Sequence, residues 1–239
     1  MKNRALLLVE GQDEYIFFER MGKVAFGEKV LEIVTLRCSI YSLFRTMREY
    51  DFDIDLETAI SLSPNCSLED KEKLKGSTFP FKYLVFDFDF QEKTMNQEEK
   101  VEALRQMSAF FDDDSDQGFL FVNYPMFESL REKSEEGISK CQYNPFDKEP
   151  YKRIIDKRGD KMDYGKLNRK QFLNLAFKSI LFSNFVLRGK YCQPKVLEES
   201  LTLPLLERQL AAISRGGSLY CLNTSAQLPC YYFGLSILK

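Results

Sequence analysis

Tyr83-Leu84-Val85-Phe86-Asp87-Phe88-Asp89-Phe90 decides the fold. Its apolar residues run together without the alternation of a half-exposed strand, so this segment must be covered on both faces. Strands of that kind belong to parallel sheets flanked by helices. Such sheets bind ligands at the carboxyl ends of their strands, which is where Asp87 and Asp89 fall. Ala5 to Val9 repeats the pattern upstream and closes on Glu10-Gly11; Phe119 to Val122 repeats it downstream and stops at Asn123-Tyr124-Pro125.

Between these strands the spacing changes to that of helices. Tyr15, Ile16, Phe18, Met21, Val24 and Ala25 predict a helix over Asp13 to Phe26. Val30 to Leu36 reads as a second strand, and Ser39 as the N-cap of a helix carrying Ile40, Leu43, Phe44 and Met47. Asp51 to Thr78 is polar and weakly periodic, with one short helix at Leu68 to Leu74; a further helix is expected at about Gln97 to Phe111. Alternating strands and helices predict an α/β core over residues 1–128, a parallel sheet flanked by helices. Residues 129–215 read as a helical elaboration, with helices at Glu128 to Lys140, Lys170 to Leu187 and Leu203 to Ser214. Residues 216–239 read as a return to the core, through a strand at Ser218 to Leu222 and a helix or strand at Tyr231 to Leu238.

Composition narrows the chemistry. A net charge of -2, from 34 basic and 36 acidic residues, argues against coating nucleic acid or membrane by charge alone. There is no histidine, which excludes histidine acid–base chemistry and histidine-containing zinc sites. The six cysteines are scattered with no C-x-x-C pair, as expected of reduced thiols. Five apolar residues before Glu10 are too few for a signal peptide, and no run approaches a membrane span, so a soluble cytoplasmic protein is expected.

Two carboxylates at a strand end share a face if the extended conformation persists. Converging carboxylates raise each other's pKa, and a hard cation such as Mg²⁺, or alternatively Mn²⁺, relieves the repulsion. The other reading of Asp87 and Asp89 is a helix cap beside a solvated acid. Glu10-Gly11 favours the site: it ends the first buried strand, and the glycine lets a ligand approach the backbone. The acidic run Asp112 to Asp116 lacks the central glycine and closing glutamate of a calcium loop and reads as a solvated turn.

Leu6-Leu7-Leu8-Val9-Glu10-Gly11 and Leu84-Val85-Phe86-Asp87-Phe88-Asp89 together resemble the TOPRIM family, shared by topoisomerases, primases, maturation ribonucleases and OLD-type nucleases. The resemblance spans chiefly residues 5–129. It implies a TOPRIM-like fold, with Glu10 as general acid/base or metal ligand and Asp87 and Asp89 as Mg²⁺ ligands. Glu10-Gly11-Gln12-Asp13 matches the E-G-x-x-D form of OLD-like and phage-defence members, implying a metal role for Asp13; alternatively Asp13 is a first-turn acid favoured by the helix dipole. Asn123-Tyr124-Pro125-Met126-Phe127-Glu128 resembles the N-x-P-x-x-E stretch of RloB-like proteins, making Glu128 a metal ligand or, again, a first-turn carboxylate.

One basic stretch stands out: Lys152, Arg153, Lys157, Arg158, Lys161, Lys166, Arg169 and Lys170, interleaved with Tyr151, Tyr164 and Phe172. It is either a nucleic-acid contact, with cations on phosphate and aromatics on bases, or a solvated helix face. Arg215-Gly216-Gly217 is an anion-binding turn or a helix stop.

The expected function is metal-dependent phosphodiester cleavage of RNA, tRNA included, or DNA. The resemblance further implies an abortive-infection effector, like the TOPRIM toxin of PARIS systems, restrained by an ABC/SMC-type ATPase; whether it forms a homo-oligomer stays open. The alternatives are a non-catalytic scaffold with an acidic docking edge and a haloacid-dehalogenase-like phosphatase. Phe90-Gln91 after the second aspartate fits the phosphatase poorly.

Overall fold

A computed structural model describes residues 4–27, 30–75, 78–115, 117–133, 137–138, 141–146, 149–192 and 202–238. Strand β1 (Ala5–Val9) leads into α1 (Gln12–Met21), which continues as a π-helical turn, Gly22–Phe26. Then come β2 (Leu31–Thr35), α2 (Ile40–Glu49), α3 (Leu56–Leu62), α4 (Leu68–Leu74), β3 (Phe81–Asp87) and α5 (Gln97–Phe110). A short β4 (Asp112–Asp113) turns into β5 (Gly118–Asn123). The five strands form one sheet in the order β2-β1-β3-β5-β4, parallel except for β4.

That order fixes where a site can form. From β1 the chain steps to β2 on one side, then crosses back to β3 on the other, so the direction of winding reverses between β1 and β3. Helices leaving the two strands diverge at such a point and open a crevice at the carboxyl edge. Alternate side chains build a core on each face. Leu6, Leu8, Leu84, Phe86, Leu120 and Val122 pack with α2 and α5 residues such as Phe44 and Leu104. Leu7, Val9, Tyr83, Val85, Phe119 and Phe121 pack with Phe17 and Phe18 of α1. Each fully buried side chain of this size contributes about 1.5–3 kcal/mol.

The later half adds β6 (Gln142–Tyr143), α6 (Tyr151–Arg158), α7 (Arg169–Arg188), α8 (Thr202–Gly216), β7 (Leu219–Tyr220) and α9 (Leu228–Phe233). Phe182 and Val186 of α7 and Leu205 and Leu206 of α8 join the first core, while Phe172 of α7 and Leu228 of α9 join the second. The C-terminal segment clips the end of β5. The Thr224 hydroxyl donates to the Val122 carbonyl at 2.9 Å, the Ser225 N–H to the Asn123 side chain at 3.2 Å, and the Asn223 amide to the Phe127 carbonyl at 3.0 Å.

Several expectations need correction. Helix α3 lies in a stretch read as irregular; it is seven residues long, too short to display a period, and is held by Asp55, whose side chain accepts from the Thr58 N–H at 2.7 Å. The helix expected at Glu128 to Lys140 is one 3-10 turn, Phe127–Arg131, after which Glu132 is extended; residues 134–136 and 139–140 lie outside the described set. The strand expected at Ser218 to Leu222 does not join the main sheet: β7 pairs with β6, and only Leu222 bridges to Tyr124. The Asp112 to Asp116 turn begins as an edge strand. Gly217, at φ 70°, donates back to the Ile213 carbonyl, so Arg215-Gly216-Gly217 is a helix stop. No helix among the described residues is long and apolar enough to cross a membrane.

Candidate functional site

Glu10 follows β1 and Asp87 ends β3, and these strands are hydrogen-bonded neighbours in parallel register. The Asp87 backbone N–H donates to Glu10 Oε2 at 3.3 Å, which ties the two carboxylates' strands together at the winding reversal. Burial pushes the Glu10 carboxyl up to about 8; the Asp87 N–H opposes that shift, and Glu14, Asp89 and Glu128 reinforce it. Burial also raises Asp87 well above the usual carboxylate range, aided by Glu10, Glu14 and Glu128 and opposed by a hydrogen bond from the Phe127 backbone. Its Oδ1 is buried without a hydrogen-bond partner.

Glu14 belongs to this cluster and was missed by the sequence reading. It is 6% exposed, and burial pushes its carboxyl up to about 7, with Glu128 and Asp13 adding to the rise and Lys152 countering it. A signal existed. Glu14 shares the helical phase of Phe17, Phe18 and Met21, the buried face of α1, and an acid in that phase must enter either a core or a site. Gly11 makes room for it, since a Cβ there would stand 3.1 Å from Glu14 Oε2.

Glu128, in the 3-10 turn after β5, is 6% exposed and completes the group. Asp13 turns outward and is exposed, 3.7 Å from the Lys152 ammonium. Asp89 departs from expectation. The strand ends at Asp87 and Asp89 takes a φ of 33°, so the alternation that would aim both acids together is broken. Phe88 and Phe90 instead stack at 4.9 Å in the core beneath α2 and α5. Asp89 is raised by burial and by Glu92, and lowered by Lys100; it stands at the margin of the group, where Glu10 feels its charge. The Tyr164 hydroxyl, buried without a partner, lies in the field of Glu128, Asp13 and Glu14.

The basic stretch divides by role. Lys152 of α6 sets its ammonium 2.7 Å from Glu128, placing a cation on the acidic group. Arg158 turns the other way, pairing with buried Glu132, which also accepts the Tyr151 hydroxyl at 2.9 Å. Its guanidinium is thereby engaged with Glu132 on the far side of α6 from Glu128. Lys157 pairs with Glu149 and Lys166 with Asp163, both at the surface, where such pairs contribute little. Arg153, Lys161, Arg169 and Lys170 are exposed, and no ion pair is described for them. Arg158→Met should lower stability by about 2–3 kcal/mol, because it strands the buried Glu132 carboxylate. Urea unfolding checks this; a loss below half a kcal/mol would show the pair to be ornamental.

The thiols are free, and burial pushes Cys38 up to about 11, so it is no nucleophile at neutral pH. Among the described residues no three acidic or thiol side chains are drawn together as a ready-made cation cage. The donor chemistry nonetheless suits a hard divalent cation: four carboxylates, three of them raised by burial and by their acidic neighbours, and an Asp87 oxygen with no partner. Compared with protein-family models, with curated proteins and with solved structures, the chain matches none.

Proposed function

We propose that the chain is a divalent-metal-dependent phosphodiesterase of TOPRIM type that cleaves nucleic acid. The observation that carries this reading is the juxtaposition of Glu10 and Asp87, acids at the carboxyl ends of neighbouring parallel strands, joined by the 3.3 Å bond and surrounded by Glu14 and Glu128. In this reading Asp87, Glu14 and Glu128 hold Mg²⁺ or Mn²⁺, with Asp89 and Asp13 at the edge. A bound divalent ion supplies Lewis-acid polarisation of the phosphate and a water of lowered pKa.

The chain's own groups do the rest. Glu10 Oε2 is fixed by the Asp87 N–H, leaving Oε1 to exchange a proton with the attacking water or the leaving group. Exposed Arg153 provides a cation for the flanking phosphates, and Lys152 sits where the negative charge of cluster and substrate meet. A role in antiphage defence and restraint by an ABC/SMC-type ATPase belong to the same reading and rest on the TOPRIM resemblance.

The test pairs two neighbours in α1. Glu14→Ala should weaken Mn²⁺ binding by calorimetry at least tenfold and remove cleavage of mixed RNA and plasmid. Asp13→Ala should change either by less than threefold. Equal effects at the two positions would sink the assignment of Glu14.

A further inference from the structure

Residues 142–146 and helix α6 are each fastened to a strand end that carries the acidic group. On one side the Gln91 side chain donates to the Tyr143 hydroxyl at 2.8 Å, and the Phe146 ring meets Phe90 edge-on at 5.8 Å, immediately past Asp89. On the other side Lys152 reaches Glu128 at 2.7 Å. Phe146 is 50% exposed despite this anchoring. The Asn144 side chain accepts the Phe146 N–H at 2.9 Å, a local turn that holds the ring in place. Six residues further on come Lys152 and exposed Arg153.

We infer that Phe146 is a stacking platform for an unpaired base, so that the substrate of this site is single-stranded or locally unpaired nucleic acid rather than intact duplex. The inference rests on the phosphodiesterase reading and specifies its substrate class. A duplex keeps its base faces within the stack and offers an edge like this one only phosphates, for which cations suffice. An aromatic face held half in solvent against Phe90, the residue after Asp89, can take a base only where that base is unstacked, and stacking of this kind tolerates any base. Packing against Phe90 means the ring is positioned before the strand arrives.

The chain contains no tryptophan, so Phe146→Trp creates a unique fluorophore at the platform. In chelator, where cleavage is off, a mixed-sequence single-stranded RNA should quench its emission, and the same RNA annealed to its complement should not. Phe146→Ala should weaken single-strand binding roughly tenfold, with Phe146→Tyr close to the parent. Equal single-strand affinity in Phe146→Ala, alongside cleavage that still requires Asp87, would overturn the platform and leave the nuclease reading standing. Equal quenching by duplex would do the same. An emission change that tracks protein concentration without nucleic acid would make Phe146 a self-contact and also overturn it. If the parent chain neither binds nor cuts any nucleic acid, the phosphodiesterase reading fails and takes the platform with it.

Discussion

Asp87→Asn should lower the proposed metal-dependent cleavage by roughly a thousandfold or more while making the metal-free protein more stable. The first effect follows from losing a buried carboxylate whose Oδ1 has no hydrogen-bond partner among the described residues and whose position at the end of β3 ties it to Glu10. Removing several kcal/mol of charge stabilisation at a scissile phosphate costs a factor of ten for each 1.36 kcal/mol. The second effect has the opposite sign because Asp87 is held among Glu10, Glu14 and Glu128. Asparagine keeps an acceptor for the Phe127 N–H and gives the neighbouring carboxylates a donor, without the buried charge. A gain of about 1–3 kcal/mol is expected, visible as a rise of several degrees in melting temperature. A variant that cuts normally, or that is inactive because it is unfolded, would refute the placement of Asp87.

In chelator, stability should fall as pH rises from about 5 to about 8. The ordinary carboxyl value near 4.5 applies in the unfolded chain, whereas Glu14 is held at about 7 and Glu10 at about 8 in the fold. Between those values the native state keeps protons that the unfolded state has released, so raising the pH favours unfolding. Each pH unit in that window removes about 1.4 kcal/mol per retained proton. Below about 4.5 both states are protonated and the dependence vanishes. Mn²⁺ should reverse the trend, since it binds the ionised form and stabilises most where the carboxylates would otherwise repel most. Thermal melts at pH 5.5, 7 and 8.5, with and without Mn²⁺, check both halves, and Glu10→Gln should flatten the chelator curve. A stability that rises with pH in chelator would mean these acids are ionised and compensated in the native state.

The parallel core was legible because Ala5 to Val9, Tyr83 to Phe86 and Phe119 to Val122 are continuous apolar runs, which only a sheet covered on both faces can bury. Glu10 and Asp87 were legible for the same reason, since an acid that closes such a run must emerge at the edge. Glu14 is legible only from the helical phase it shares with Phe17, Phe18 and Met21, since the glycine motif beside it carries no sign of which α1 acid turns inward. The turn at Asp89 was not legible because a D-x-D string says nothing of the φ of its second acid, which the Phe88–Phe90 stack and the Phe88 carbonyl's bond from the Tyr41 hydroxyl accompany. In a run of cations Lys152 and Arg158 look alike. Their opposite roles depend on which side of an eight-residue helix meets Glu128 and which meets Glu132. Two-residue strands such as β6 and β7 carry no period to read.

The clip at the end of β5 ties the acidic group to a segment about a hundred residues further along the chain. Asn223, Thr224 and Ser225 hold the backbone from Val122 to Phe127, and Phe127 in turn supports Asp87 and precedes Glu128. Each of these bonds joins positions about a hundred residues apart, so the floor beneath the acids forms only once that distant segment has folded back onto β5. Loosening the clip should therefore loosen the acids with it, although none of its three residues belongs to the acidic group.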